Sequence, residues 1–244
     1  MPEEYMKFFR VAQELNREYE DILKDKKIHF RGNRGSFSLI SLARETPEQG
    51  EGGFTEKEQG ERFLRDEIDS CLAGKRKKIE AGDSRKTREK ELQAWIINYA
   101  INNGYQLPFS SGLTFLTSEL AFTKPEKIVN DILALDQDGN LVVIELKSSR
   151  DKKTLERQVK RFFDKIDSNK KFFKDLVKLF APEKVWNEQR RGMIVWPASA
   201  NRQLRGDWQH GIKEVCYPES VKNDKRQIAY DENGAIPFFE GEPA

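Results

Sequence analysis

The chain has 244 residues, 34% of them charged, yet its formal net charge is only +2. Any basic surface must therefore come from local clustering and not from a global excess. No apolar run approaches the roughly 20 residues that cross a bilayer, and with two cysteines and two histidines there is little material for a disulfide framework, a zinc site or a histidine triad. The opening MPEEYMKFF has neither the basic start nor the apolar run of a secretory signal, so the expectation is a cytoplasmic protein.

In chain order, residues 3–25 carry Tyr5, Phe8, Phe9, Ala12, Leu15, Tyr19, Ile22 and Leu23 at three- and four-residue steps, which predicts one amphipathic helix. Its apolar face packs against the core or against a second copy of the chain, a homodimer through this helix. Lys27–Arg44 reads as a hairpin turning at Gly32–Gly35. Thr46–Gly53, rich in Gly and Glu, reads as an exposed loop. Thr55 with Glu58 forms a capping box for a helix bearing Phe63, Leu64, Ile68, Cys71 and Leu72. The cluster Lys75–Lys78 near its end is either a solvated face or a nucleic-acid contact.

A second helix runs from Ser84 or Thr87 to Asn103-Gly104, with Leu92, Trp95, Ile96, Tyr99 and Ala100 on its apolar face. At about 100° per residue, Glu89 falls inside that face and Glu91 at its edge. Tyr105–Phe109 and Leu113–Phe122 read as strands. Glu119 in the second of them is either a stray site acid or a residue at an edge or facing solvent.

Asp131–Lys147, DILALDQDGNLVVIELK, carries the chemistry. Two runs rich in Val, Ile and Leu flank Gln137-Asp138-Gly139, which predicts a three-residue hairpin turn closed by a Gly bulge. With Asp136 opposite Asn140, Asp131 falls opposite Glu145, and alternation puts Lys147 on the side of Glu145. Two carboxylates and an amine then meet at one end of an apolar hairpin. Either Lys147 neutralises the acids at a strand end, or they form a site for a hard divalent cation.

After it, Asp151 or Thr154 starts a helix with Leu155, Val159, Phe162, Phe163 and Ile166 on its core face. Gln158 stands four residues before Phe162, on nearly the same face, where a carboxamide needs partners. The outer face carries Lys152, Lys153, Arg157, Lys160, Arg161 and Lys165. A second helical piece covers Asn169–Phe180. Strands follow at Gly192–Trp196 and Ile212–Tyr217, with a short helix over Ala200–Gln209 between them. A small hairpin joins Ile228–Tyr230 to Ala235–Phe238.

Asp131, a hairpin and then Glu145-Leu146-Lys147 resemble the PD-(D/E)xK nuclease superfamily, with Asn130 where the motif has Pro. The resemblance implies an α/β fold, a restriction-endonuclease-like αβββαβ core with a mixed central sheet flanked by helices. That core is assigned to residues 84–217, with an N-terminal helix and hairpin extension at 1–83 and a C-terminal hairpin and tail at 218–244. It implies Mg2+- or Mn2+-dependent hydrolysis of phosphodiesters in DNA, as an endonuclease. Asp131 and Glu145 would hold the metal, with the Leu146 carbonyl a further ligand, and Lys147 would orient water or offset developing charge. Glu89 resembles the acid that the first core helix of the superfamily contributes, as ligand or water positioner, with Glu91 as the fallback. Gln158 resembles a Q-x-x-x-Y element in which Phe162 replaces Tyr. Lys153, Arg157 and Arg161 would track DNA. Two other readings stay open: a nucleic-acid-binding module that does not cut, and an RNA-directed nuclease.

Overall fold

The structure, a computed structural model, describes residues 2–44, 46–47, 50–71, 85–123, 127–148, 152–200, 211–222 and 225–240. Lys75–Lys78, most of Ala200–Gln209 and the Lys153 side chain lie outside the described part. The N-terminal helix bends once. α1 (Pro2–Glu18) gives way to α2 (Glu20–Lys26) at Tyr19, which leaves Ile22 46% exposed while Leu23 stays buried. β1 (Ile28–Gly32) and β2 (Phe37–Ser41) form the expected hairpin.

A third strand, β3 (Gly50–Phe54), pairs with β2 where a loop was expected. Glycine ordinarily weakens a strand, but here it permits the contact: a Cβ on Gly50 would stand 1.8 Å from the Leu39 carbonyl oxygen. α3 (Lys57–Asp66) follows, with its box one residue later than the expected Thr55–Glu58 pair. Gln59 Oε1 accepts the backbone N–H of Thr55 at 2.8 Å and of Glu56 at 3.2 Å. Phe30, Phe37, Phe54 and Phe63 form one apolar cluster between this sheet and its helices.

α4 (Arg85–Asn102) leads into a mixed five-stranded sheet in the order β4-β5-β6-β7-β8. β4 (Thr114–Phe122), β5 (Ile128–Leu135) and β6 (Leu141–Leu146) are antiparallel neighbours. β7 (Arg190–Pro197) and β8 (Ile212–Tyr217) continue parallel to β6. Between β6 and β7 the chain crosses over through α5 (Lys152–Ser168) and α6 (Lys170–Phe180). Leu92, Ile96 and Ile97 of α4 pack on Ile132, Ile144 and Val195. On the opposite face Phe162, Ile166, Phe173 and Leu176 cover Leu133, Leu135 and Val143. Helices on both faces explain why β6 has no polar alternation: all six of its residues are buried.

Tyr105–Phe109 is not a strand. It makes a single bridge, Gln106 to Thr114, because Pro108 has no N–H to extend a ladder. The terminal hairpin also lies earlier than expected, as β9 (Glu219–Lys222) and β10 (Lys225–Ile228). The later stretch is instead a turn in which the Asp231 carboxylate accepts the amides of Asn233 and Ala235.

Contacts to α6 and to β4 dock the N-terminal layer on the rest of the molecule. Phe9 meets Phe172 edge-on at 5.8 Å between ring centroids. Asn33, in the β1–β2 turn, donates to the Glu119 carbonyl at 3.0 Å and accepts the Ala121 amide at 3.4 Å. Among the described residues no helix is long and apolar enough to cross a membrane.

Candidate active site

The β5–β6 turn sets the geometry. Gly139 takes φ +80, and a Cβ there would lie 2.4 Å from the Val185 carbonyl oxygen, so glycine answers both the bulge and the close approach. The Asp136 amide donates to the Asn140 carbonyl at 3.0 Å. The ladder then runs Leu135 opposite Leu141 to Ile132 opposite Ile144, which brings Asp131 level with Glu145. Beyond Ile132 the pairing stops. The Leu146 amide, which would have faced the neighbouring strand, is taken by Asp131 Oδ2 at 2.6 Å. Lys147 Nζ stands 3.8 Å from Asp131 Oδ2 and 3.6 Å from Glu145 Oε2.

The structure therefore brings Asp131, Glu145, Leu146 and Lys147 together. Glu145 is almost fully enclosed, 3% exposed at its side chain, whereas Asp131 reaches solvent at 24%. Burial pushes the Glu145 carboxyl well above the ordinary carboxylate range, and the Asp131 charge adds to this; Lys147 opposes both. Asp131 is raised by burial too, against Lys147 and the Leu146 amide. For Lys147, burial pulls the ammonium down, but Asp131, Glu145 and Glu89 together outweigh it and the net shift is upward. Lys147 is thus a cation at neutral pH, suited to offset charge or orient water and not to accept a proton.

Glu89, on the first turns of α4, reaches across to the end of β6. Its Oε1 accepts both the amide and the hydroxyl of Ser148, at 2.8 and 2.9 Å. It raises the pKa of Asp131 and of Lys147 through its charge. Glu91, the fallback, is committed elsewhere: it pairs with Arg44 at 2.7 Å and accepts the Tyr230 hydroxyl at 2.8 Å.

Gln158 does not face the core. It is exposed on α5, whose buried stripe is Val159, Phe162 and Ile166. At about 100° per residue Gln158 falls beyond the edge of that stripe, so nothing obliges its carboxamide to find a partner. Arg157 is exposed and Arg161 half-buried.

Sequence reasoning set one acid aside and missed three other residues. β4 register, Ser118 opposite Ile132 and Leu120 opposite Asn130, brackets Glu119 opposite Asp131. Glu119 lies half-exposed on the edge strand β4, adopts φ +50 and raises the carboxyls of both Asp131 and Glu145 through its charge, so it joins the acid row. Gln93, 3% exposed, donates to the Asp131 carbonyl at 2.7 Å. Tyr217 donates to the Lys147 carbonyl at 3.1 Å, and burial holds its hydroxyl protonated. Ser148 anchors Glu89. The available signal was Gln93 itself, a polar side chain one turn after Glu89 amid Leu92, Ala94 and Ile96.

Among the described residues no group of three or more His, Cys, Asp or Glu side chains is spaced as a metal cage. A cation here would be held by two carboxylates with waters and substrate oxygens, which is how magnesium is usually bound. The donor set fits: two crowded, under-neutralised carboxylates at a sheet end disfavour their own charge, and a divalent cation reverses that penalty.

No protein family matches the chain, and no curated protein matches it. Among solved structures, a chain in the structure of an EndoMS–dsDNA2 complex is similar at 26% identity, over 39% of this chain and 31% of that one, with a TM-score of 0.23. A likeness that loose leaves fold and function to the residues themselves.

Proposed function

We propose that this chain is a metal-dependent nuclease that hydrolyses phosphodiester bonds in DNA, on a restriction-endonuclease-like core. The observation that carries the reading is the meeting of Asp131, Glu145 and Lys147 where β5 and β6 part. The element order supports it as well: α4, three antiparallel strands, a helical crossover and a parallel strand follow αβββαβ. In this reading the core spans residues 84–217, the first 83 residues extend it, and the rest forms a tail.

Asp131 and Glu145 would hold the cation, Mg2+ or Mn2+, with the Leu146 carbonyl as a further ligand. The bound cation would polarise the scissile phosphate and lower the pKa of an attacking water. The remaining work falls to the protein. Lys147, kept protonated by its acids, orients the water and offsets charge as it builds on the phosphoryl oxygens. With Asp131 and Glu145 committed to the cation, the proton released by the attacking water leaves to solvent, and the leaving oxygen gains one from solvent. Gln93 and Tyr217 act on the main chain of Asp131 and Lys147, and Glu89 with Ser148 fixes the chain just past β6. These three anchors limit drift of groups whose misplacement by about 1 Å would cost roughly a hundredfold in rate.

The test is cleavage of single-stranded, duplex and branched DNA, and of RNA, with magnesium, manganese or chelator. Cation-dependent cutting of DNA is the expected result. Binding without cutting under every condition would make the chain a nucleic-acid-binding module, and cutting of RNA alone would move the substrate class.

A further inference from the structure

Beside the acid row an open groove of about 720 Å³ runs between the β1–β2 turn, the end of β4 and the end of α5. Asn33, Arg34, Ser36, Thr123, Lys165 and Asn169 are among its lining residues. None of the residues lining it is acidic, and two are cationic. Arg34 is held in an unusual way. Its guanidinium lies between the rings of Tyr5 and Phe122, 4.4 Å from each centroid. Its amide is capped by Asn33 Oδ1 at 2.8 Å, and Asn33 in turn is bonded to β4 at Glu119 and Ala121. Stacking occupies the two faces of a guanidinium and leaves the N–H groups at its edge pointing outward in the plane. Among the described residues no acid pairs with Arg34. The result is a guanidinium held by two rings in the wall of a groove that has two cationic lining residues and no acidic one, a setting that suits a phosphate.

The position matters as much as the chemistry. Glu119 is level with Asp131 across β4 and β5. Phe122, which stacks on Arg34, is three residues further, about 10 Å along the strand at the usual rise. A displacement of about 10 Å spans one to two steps between neighbouring phosphates on a strand, because the charge spacing of about 3.4 Å per strand is measured only along the helix axis. We infer that this groove, built jointly by the N-terminal layer and the large sheet, is a phosphodiester-backbone subsite that binds the cleaved strand about one or two nucleotides from the scissile phosphate, with Arg34 as its anchor. The inference rests on the nuclease reading above, and it assigns the first 83 residues a part of the substrate cradle.

The experiment measures DNA binding with chelator present and cleavage with magnesium, for the parent, Arg34→Ala and Ser36→Asp. Ser36→Asp leaves the Tyr5–Arg34–Phe122 stack intact and puts a negative charge in the trough, so it reports even if Arg34→Ala folds poorly. For both variants the expected result is about tenfold weaker binding, the size of a lost charge-assisted hydrogen bond. The slope of log affinity against log salt should fall by about one in Arg34→Ala, and half-maximal cleavage should need about tenfold more DNA. Duplexes trimmed to end before the groove should bind parent and variants alike. If parent and variants bind long duplexes with the same affinity and slope while the parent still cuts, the subsite is overturned and Arg34 is only a packing staple. If the parent neither binds nor cuts DNA, the nuclease reading itself has failed.

Discussion

The two ends of the β5–β6 hairpin each bury an acid, and they treat it in opposite ways. At the turn, Asp136 is saturated with donors. It accepts from the Asn140 amide at 2.8 Å, from the Asn140 carboxamide at 2.8 and 3.1 Å, and from Arg191 at 2.8 Å. At the open end, Asp131 and Glu145 share one lysine at 3.6 to 3.8 Å, and Glu119 and Glu89 add repulsion. The sequence within the hairpin is equally apolar toward both ends. The difference teaches that burial of a carboxylate does not identify a site; incomplete satisfaction of its charge does. The first acid is there to hold a turn, and the second pair is there to hold something else.

The largest expected effect separates the ends by activity. Glu145→Gln should lower cleavage by at least about a thousandfold, some 4 kcal/mol of barrier, because a hard cation loses an anionic oxygen. The same change should leave the unfolding midpoint in chelator unchanged or higher. The sign follows from the raised pKa. Between the unfolded and folded values the folded state holds more protons, so the acid costs stability as pH rises through that window, starting near 4.5. A variant that melts much earlier would make Glu145 a plain partner of Lys147.

At the turn the outcome should reverse. Asp136→Ala removes the acceptor of the Asn140 amide and carboxamide and one of the acidic partners of Arg191 and should cost about 1–3 kcal/mol of stability, read as a lower urea midpoint. Molecules that remain folded should cut at the parent rate. Equal loss of activity and stability in both variants would erase the distinction between the two ends.

His29 extends the comparison to a buried base. It is 8% exposed, with Asn16 Nδ2 3.4 Å from its Nε2, and burial drives its pKa down to about 3. The folded state refuses a proton that the unfolded state accepts below about 6.5. Stability should therefore be intact above that pH and fall by about 1.4 kcal/mol for each unit between about 6.5 and 3. His29→Gln should flatten this slope in denaturation curves taken from pH 7 to pH 4, and an unaltered slope would assign the loss to other groups.

The smallest effect concerns the outer face of α5. Replacing Lys153, Arg157 and Arg161 by Ala should reduce the salt slope of DNA binding by about one unit per lost phosphate contact, with no change in cleavage at saturation. A slope equal to that of the parent would return this face to bulk solvent.

By itself the sequence determined the elements whose cause is local. The Gly139 turn follows from conformational preference, and a turn of known length dictates which residues stand opposite one another, so the approach of Asp131 to Glu145 is legible in the sequence. So are α4, the β6 strand and the helical crossover, because burial on one or two faces leaves a periodic trace. What the tertiary structure decided were groups whose partners come from elsewhere in the chain. Glycine-rich β3 became a strand because Leu39 offered an edge that only glycine could approach. Gln158 read as core and proved exposed, since the wheel defines a stripe but not how far a neighbouring sheet reaches. Glu119 read as a site acid or an edge residue; it lies half-exposed on the edge strand β4, level with Asp131, because the β4 register and its positive φ are properties of the assembled sheet. Gln93, Tyr217 and Arg34 act through contacts 38, 70 and 88 residues away in sequence. No local pattern encodes such a distance; only the packed chain brings those atoms together.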